Sequence, residues 1–215
     1  MTERERLLQV LQGETPDRVP WFADLGHWYR AESGKQWDLF SINNCTKEIT
    51  DLHREVKAGW YVEVGSLHEE YYEDGVLRER EMKGDTARET FKTPIGEIFM
   101  IRKWSPISFS WDITKLMVEN IEDLKILIYA VERKKFKPRY ENWIHIEETG
   151  GDTGLGFPSI GYTGLGSLMS YYMGVEKTIY ASYDEPELMN VGKSVLVTKA
   201  VDCTNVEHTG LFTVP

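Results

Sequence analysis

The chain is poor in cysteine. Cys45 and Cys203 are its two thiols in 215 residues. Two thiols so far apart exclude a disulfide framework, and the expected setting is a reducing, cytoplasmic one. A long apolar run is also missing: nothing approaches the ~18 residues a membrane span requires. The opening MTERERLL carries charge where a signal peptide carries an apolar core. Positive charge is in deficit. With 25 basic and 35 acidic residues the net charge is −10, so the average surface repels a phosphate backbone and no nucleic-acid partner is expected. HExxH and CxxC are absent, and Cys203 with His208 supplies two ligands where zinc takes four, so no metal site is expected. Nucleotide loops are incomplete. The position five before Gly192 in Gly192-Lys193-Ser194 is Glu187, where a phosphate loop needs glycine. Gly154-x-Gly156 and Gly164-x-Gly166 both lack the third glycine of a dinucleotide fingerprint.

What is present reads as an ordinary globular chain, 41% hydrophobic and 28% charged. Thr2 and Glu5 form a capping box for a helix over 2–12, which Gly13 ends. Val19 to Ala23 reads as a short strand. A helix follows from about Thr46 to Ala58, with Ile49, Leu52 and Val56 on one face and His53 at the surface. Trp60 to Val64 then reads as a strand. This is the strand–helix–strand grammar of a parallel sheet. The runs 76–83, 86–92 and 97–103, divided by Gly84-Asp85 and by 93–96, predict an inserted antiparallel meander with one wet face. Helical spacing returns at Leu124, Leu127, Ile128 and Val131 behind an Asn120 cap. Pro138 opens a further helix, and Arg133-Lys134-Lys135 reads as a solvated helix end. Asp184 and Glu187 form another capping box, but the period fails after Met189. The chain therefore divides into 1–189, carrying the meander at 76–103, and an atypical tail at 190–215.

The stretch PWFADLGHWYR gathers aromatic rings beside Asp24 and His27. After a parallel strand, a carboxylate and an imidazole serve as acid and base. The alternative is that Asp24 caps a turn and His27 packs on Trp28. Tyr171 and Tyr172 follow another expected strand. One can enter a pocket by its hydroxyl, or both can fill the core.

Four segments, RERLLQVLQGETPDRVPWF, TPIGEIFMIRKWSP, IEDLKILIYAVE and GLGSLMSYYMGVEKTIYASYDEPELM, stand in an order that resembles the uroporphyrinogen decarboxylase-like superfamily. The resemblance implies the N-terminal portion of a (β/α)8 TIM-type barrel with the inserted β-meander, an incomplete barrel with its site at the strand C-termini. It implies action on a tetrapyrrole or a corrinoid-linked methyl group, by a carboxy-lyase or a corrinoid-dependent methyltransferase, with the truncated chain itself inactive. The alternatives are a true decarboxylase with a diverged carboxylate grip, or a non-enzymatic fragment or binding module. Whether the chain is an enzyme stays open. On this resemblance Asp24, His27, Tyr171 and Tyr172 are the catalytic candidates, and Trp21, Trp28, Arg30 and Glu63 the substrate-binding ones. The two arginines that grip porphyrinogen carboxylates are missing after the first strand. Asp24 there would repel such a substrate, and the family's catalytic Asp falls near Gly65. No cofactor is expected in this chain; zinc and a corrinoid protein partner would belong to a full-length methyltransferase. The implied partners are thus a small tetrapyrrole or a corrinoid protein, with no membrane and with a homodimer allowed.

Overall fold

The computed structural model describes residues 1–40, 46–64, 67–158 and 162–211; the side chains of 61–64, 142, 157, 158, 201 and 203–211 lie outside the description. Cys45 and the side chains of Cys203 and His208 are therefore outside it as well. In chain order the first elements are α1 (Glu3–Leu11), α2 (Gly26–Ser33), α3 (Lys47–Val56), β1 (Trp60–Val64), β2 (His68–Tyr72), β3 (Leu77–Lys83), β4 (Thr86–Thr93), β5 (Gly96–Ser105) and β6 (Ser110–Lys115). Then follow α4 (Ile121–Glu132), β7 (Lys134–Pro138), α5 (Glu141–Gly150), β8 (Gly154–Pro158), α6 (Gly164–Ser167), a π-helical turn (Leu168–Tyr172), α7 (Val175–Asp184) and α8 (Pro186–Leu211). The chain forms two compact units, Met1–Leu67 with Arg139–Ser159, and His68–Pro138 with Ile160–Pro215.

In the first unit, the Thr2 hydroxyl accepts from the Glu5 amide while the Glu5 carboxylate accepts from the Thr2 amide, which closes the capping box of α1. The charged side of α1 turns inward. Arg6 bonds Asp17 and Glu3, and Arg18 also pairs with Glu3. Thr46 caps α3 through its hydroxyl. Strands β1 and β8 run parallel, with Trp60 opposite Gly154. Phe22 adds a single parallel bridge to Gly59, which is all that forms of the strand expected at 19–23.

The second unit holds the larger core. Strands β3 to β6 form a four-stranded antiparallel meander, and β2 pairs antiparallel with β7. Asn120 caps α4, which buries Leu124, Leu127, Ile128 and Val131 against Phe91, Ile98 and Met100. Pro138 closes a strand instead of opening a helix, and Lys134 lies in that strand rather than at a solvated helix end. The helix expected to fail after Met189 does not fail: α8 runs from Pro186 to Leu211. Proline suits the first helical position, where an amide would be unbonded anyway.

The barrel expectation is corrected. Among the described residues the strands make three open sheets, one of them a two-stranded parallel ladder and two of them antiparallel, and none closes or curls. A (β/α)8 barrel needs eight parallel strands joined by helical crossovers. Here the chain between β1 and β8 spends most of its strand residues on antiparallel pairing. Gly84-Asp85 and 93–96 allow tight reversals, which cost little closure entropy and lock neighbouring runs together. The partial-barrel assignment and the superfamily resemblance built on it are withdrawn.

Candidate functional site

In the first unit, helices α2 and α3 bound a cleft of about 530 Å³. Trp28, Tyr29, Glu32 and Ser33 line it from α2; Glu48, Asp51, Leu52 and Glu55 line it from α3. The α3 residues stand at i, i+3, i+4 and i+7, one stripe of a helix of 3.6 residues per turn. The opposite side of α3 buries Ile49, Thr50 and His53, so core packing on one side fixes the acidic stripe on the other. Gly34, at φ 62°, ends α2 in the left-handed region that glycine favours.

The four carboxylates of the cleft differ. A hydrogen bond from Lys47 holds Asp51 below the usual range, helped by Arg54. Hydrogen bonds at the α3 N-terminus, from its own backbone amide and the Thr46 hydroxyl, lower Glu48. Glu32 and Glu55 have no hydrogen bond or ion pair among the described residues. Two unneutralised carboxylates therefore share the cleft with an indole, 52% exposed, and a phenol. The site is built to receive positive charge and apolar surface together.

Trp28 lines the cleft. Trp21 is exposed. Asp24 caps its turn, its Oδ1 accepting from the Gly26 amide at 3.3 Å. His27 is exposed and makes no hydrogen bond among the described residues. The Arg30 guanidinium lies over the Trp37 ring, 5.7 Å from its centroid. Burial lowers its pKa, against the pull of Asp24. The backbone of Glu63 pairs with Phe157 in the β1–β8 ladder, and its side chain is outside the description. In the second unit, Tyr171 is exposed and meets Tyr162 edge-on at 5.3 Å, while Tyr172 packs against the core.

The sequence reading placed His53 at the surface. It is fully buried, stacked on Trp60 with ring centroids 5.2 Å apart, and neither ring nitrogen has a hydrogen-bond partner. The available signal was its position four residues after Ile49 on the same helical face. Burial pushes its pKa below the ordinary 6.5, opposed by the backbone of Ala58 and Gly59 and by Asp24. The unfolded chain therefore takes up this proton first. Stability is whole above pH ~6.5 and declines as pH falls from there toward the folded value. Urea denaturation is expected to show stability falling between pH 7 and 5.5, a slope that His53→Asn should flatten.

Among the described residues, no group of three or more His, Cys, Asp or Glu is placed to hold a metal ion, and no helix is long and apolar enough to cross a membrane. With neither a closed barrel nor a metal-binding cluster among the described residues, the tetrapyrrole and corrinoid-methyl assignments, and with them the lyase and methyltransferase readings, are withdrawn. Comparison with family models, with curated proteins and with solved structures finds no match for this chain.

Proposed function

We propose that the chain binds a small organic cation, of the alkylammonium class, in the cleft between α2 and α3. The observation that carries this is the pairing of two uncompensated carboxylates, Glu32 and Glu55, with the Trp28 and Tyr29 rings in one cavity. An aromatic face attracts a cation through its quadrupole, worth about 0.5–2 kcal/mol per contact. Carboxylates fix the sign of the ligand, and the volume is that of a small-molecule site. The net charge of −10 raises the local concentration of cations further.

Calorimetric titration with tetramethylammonium at low salt tests the reading, with tert-butanol as the neutral analogue of similar shape. Saturable binding of the cation alone is expected. Trp28→Ala should weaken it about 3- to 30-fold, and Glu32→Gln with Glu55→Gln about tenfold, with a reduced dependence on salt. Equal binding of tert-butanol, or wild-type affinity in both variants, would overturn it.

A further inference from the structure

We propose that the second unit carries a separate site for a small carboxylate, held by Arg102, Tyr72 and Tyr172. Register places Arg102 on the core side of the meander. It lies opposite Ala87 across β4 and opposite Ile113 across β6. Ala87 is buried and Ile113 packs against the core. The other two arginines on that face, Arg78 and Arg80, both pair with Glu89. Arg102 has no acidic partner among the described residues, and its Nε is buried without an acceptor. The Tyr72 hydroxyl is likewise buried with no partner. The Tyr172 phenol makes no hydrogen bond among the described residues, and the Arg102 charge acts on it.

Buried donors are nearly always satisfied, because leaving one unmade costs its full desolvation. Two of these donors, Arg102 Nε and the Tyr72 hydroxyl, are buried without acceptors, and Tyr72 packs against the same core as Tyr172; they call for an acceptor from outside the chain. The region's own carboxylates are committed: Glu70 to Lys134 and Arg78, Glu89 to Arg78 and Arg80. Arg102 is left as the cation of this face that no carboxylate pairs among the described residues, so an added anion meets an unpaired positive charge. Both phenols are raised by burial, Tyr172 to about 12, and stay protonated as donors at neutral pH. The backbone is irregular at both places. The β5–β6 register shifts between Ile101 and Arg102, and Tyr172 ends the π-helical turn. Bulges re-aim side chains, and π-turns are frequent at functional sites. A guanidinium fork with two phenols matches the planar oxygens of a carboxylate.

The test follows the Arg102 side-chain Nε–H by NMR in the full chain. Acetate should shift it saturably, and chloride at equal ionic strength should not. Arg102→Lys keeps the charge but loses the fork, and should weaken acetate binding about tenfold, as read on amides of the meander. Tyr172→Phe should weaken it about threefold. Equal shifts with chloride, or unchanged acetate affinity in both variants, would sink the site. Tighter binding of inorganic phosphate than of acetate would sink the carboxylate assignment.

Discussion

Replacing Arg78 with methionine is expected to cost about 3–5 kcal/mol at neutral pH, the usual penalty for leaving a buried charge without its partner. Arg78 pairs with Glu70 and Glu89 at once, and the three side chains are 19%, 26% and 15% exposed. Burial by itself raises the Glu70 pKa, but Lys134 and then Arg78 more than offset it and hold the carboxyl at about 2. Glu89 is lowered by the same balance, with Arg78 its strongest partner. In the variant, Glu70 keeps Lys134 at 2.8 Å, while Glu89 keeps only the more exposed Arg80 at 3.3 Å. Burial then dominates at Glu89. The depressed carboxyls give the wild type stability that is complete above pH ~4.5 and is lost as pH falls toward 2. The variant keeps the Lys134 share of it at Glu70 and loses the Arg78 share, so the gap between the two proteins should narrow below pH 4.5. Urea denaturation at pH 7 and pH 3 reads this directly. Arg78→Met with Glu89→Gln should recover part of the loss, because it removes the stranded charge. A cost under about 0.5 kcal/mol at pH 7 would mean the cluster is screened like a surface ion pair.

The elements legible from sequence were those set by near neighbours. The Thr2–Glu5 capping box, the Asn120 cap with the α4 stripe, and the meander with its two turns need only a few consecutive residues to specify them. Strand partners were not legible in the same way. Trp60 to Val64 reads as the second strand of a repeating parallel unit, yet its partner is β8, whose residues come more than eighty positions later. Between them the chain makes two antiparallel sheets. Family-like segments in the right order did not reveal this, since local resemblance leaves the long-range pairing unspecified. Helix α8 was missed for another reason. Gly192 reads as a breaker, but its bare face lies where an added Cβ would be 3.5 Å from Ile128 and 3.7 Å from Leu124. Tertiary packing there outweighs the roughly 1 kcal/mol propensity cost of glycine.

The candidate cleft was half legible. Trp28 stands out in the sequence, but its partners on α3 do not, because the apolar residues of that helix give the stronger signal. Val56, assigned to the buried face, is 43% exposed, while His53 is fully buried. The buried stripe is rotated toward Ile49, Thr50 and His53, and this rotation turns Glu48, Asp51 and Glu55 into the cleft. A buried imidazole among apolar residues breaks the usual pattern, so hydrophobicity alone chose the wrong face. For the tyrosines, sequence left two neighbours as equals. The π-helical turn separates them, with Tyr171 exposed and Tyr172 against the core.

Gly154→Ala is expected to be the most damaging single-methyl change in the first unit, at about 3 kcal/mol or more. Gly154 faces Trp60 across the parallel ladder, and a Cβ there would lie inside the contact distance of the Trp60 carbonyl oxygen. The obstacle is backbone, which has no rotamer to change, so the strands must part. Parting them strains two further bonds. The Trp60 amide donates to the Thr153 carbonyl at 3.1 Å, and Arg4 donates to the Gly154 carbonyl at 3.1 Å. Trp60, only 5% exposed, would lose cover, and with it the stack that keeps His53 dry. Gly13→Ala is the matched comparison. Gly13 has φ 79° and open space around its Cβ position, so it carries the left-handed backbone penalty alone, about 1 kcal/mol. Equilibrium denaturation should separate the two substitutions by at least 2 kcal/mol. Hydrogen exchange at the Trp60 amide should accelerate in the first variant and not in the second. Equal, small losses would show that β1 and β8 can slide apart at little cost, and that the acidic stripe of α3 is held by helix packing without the ladder.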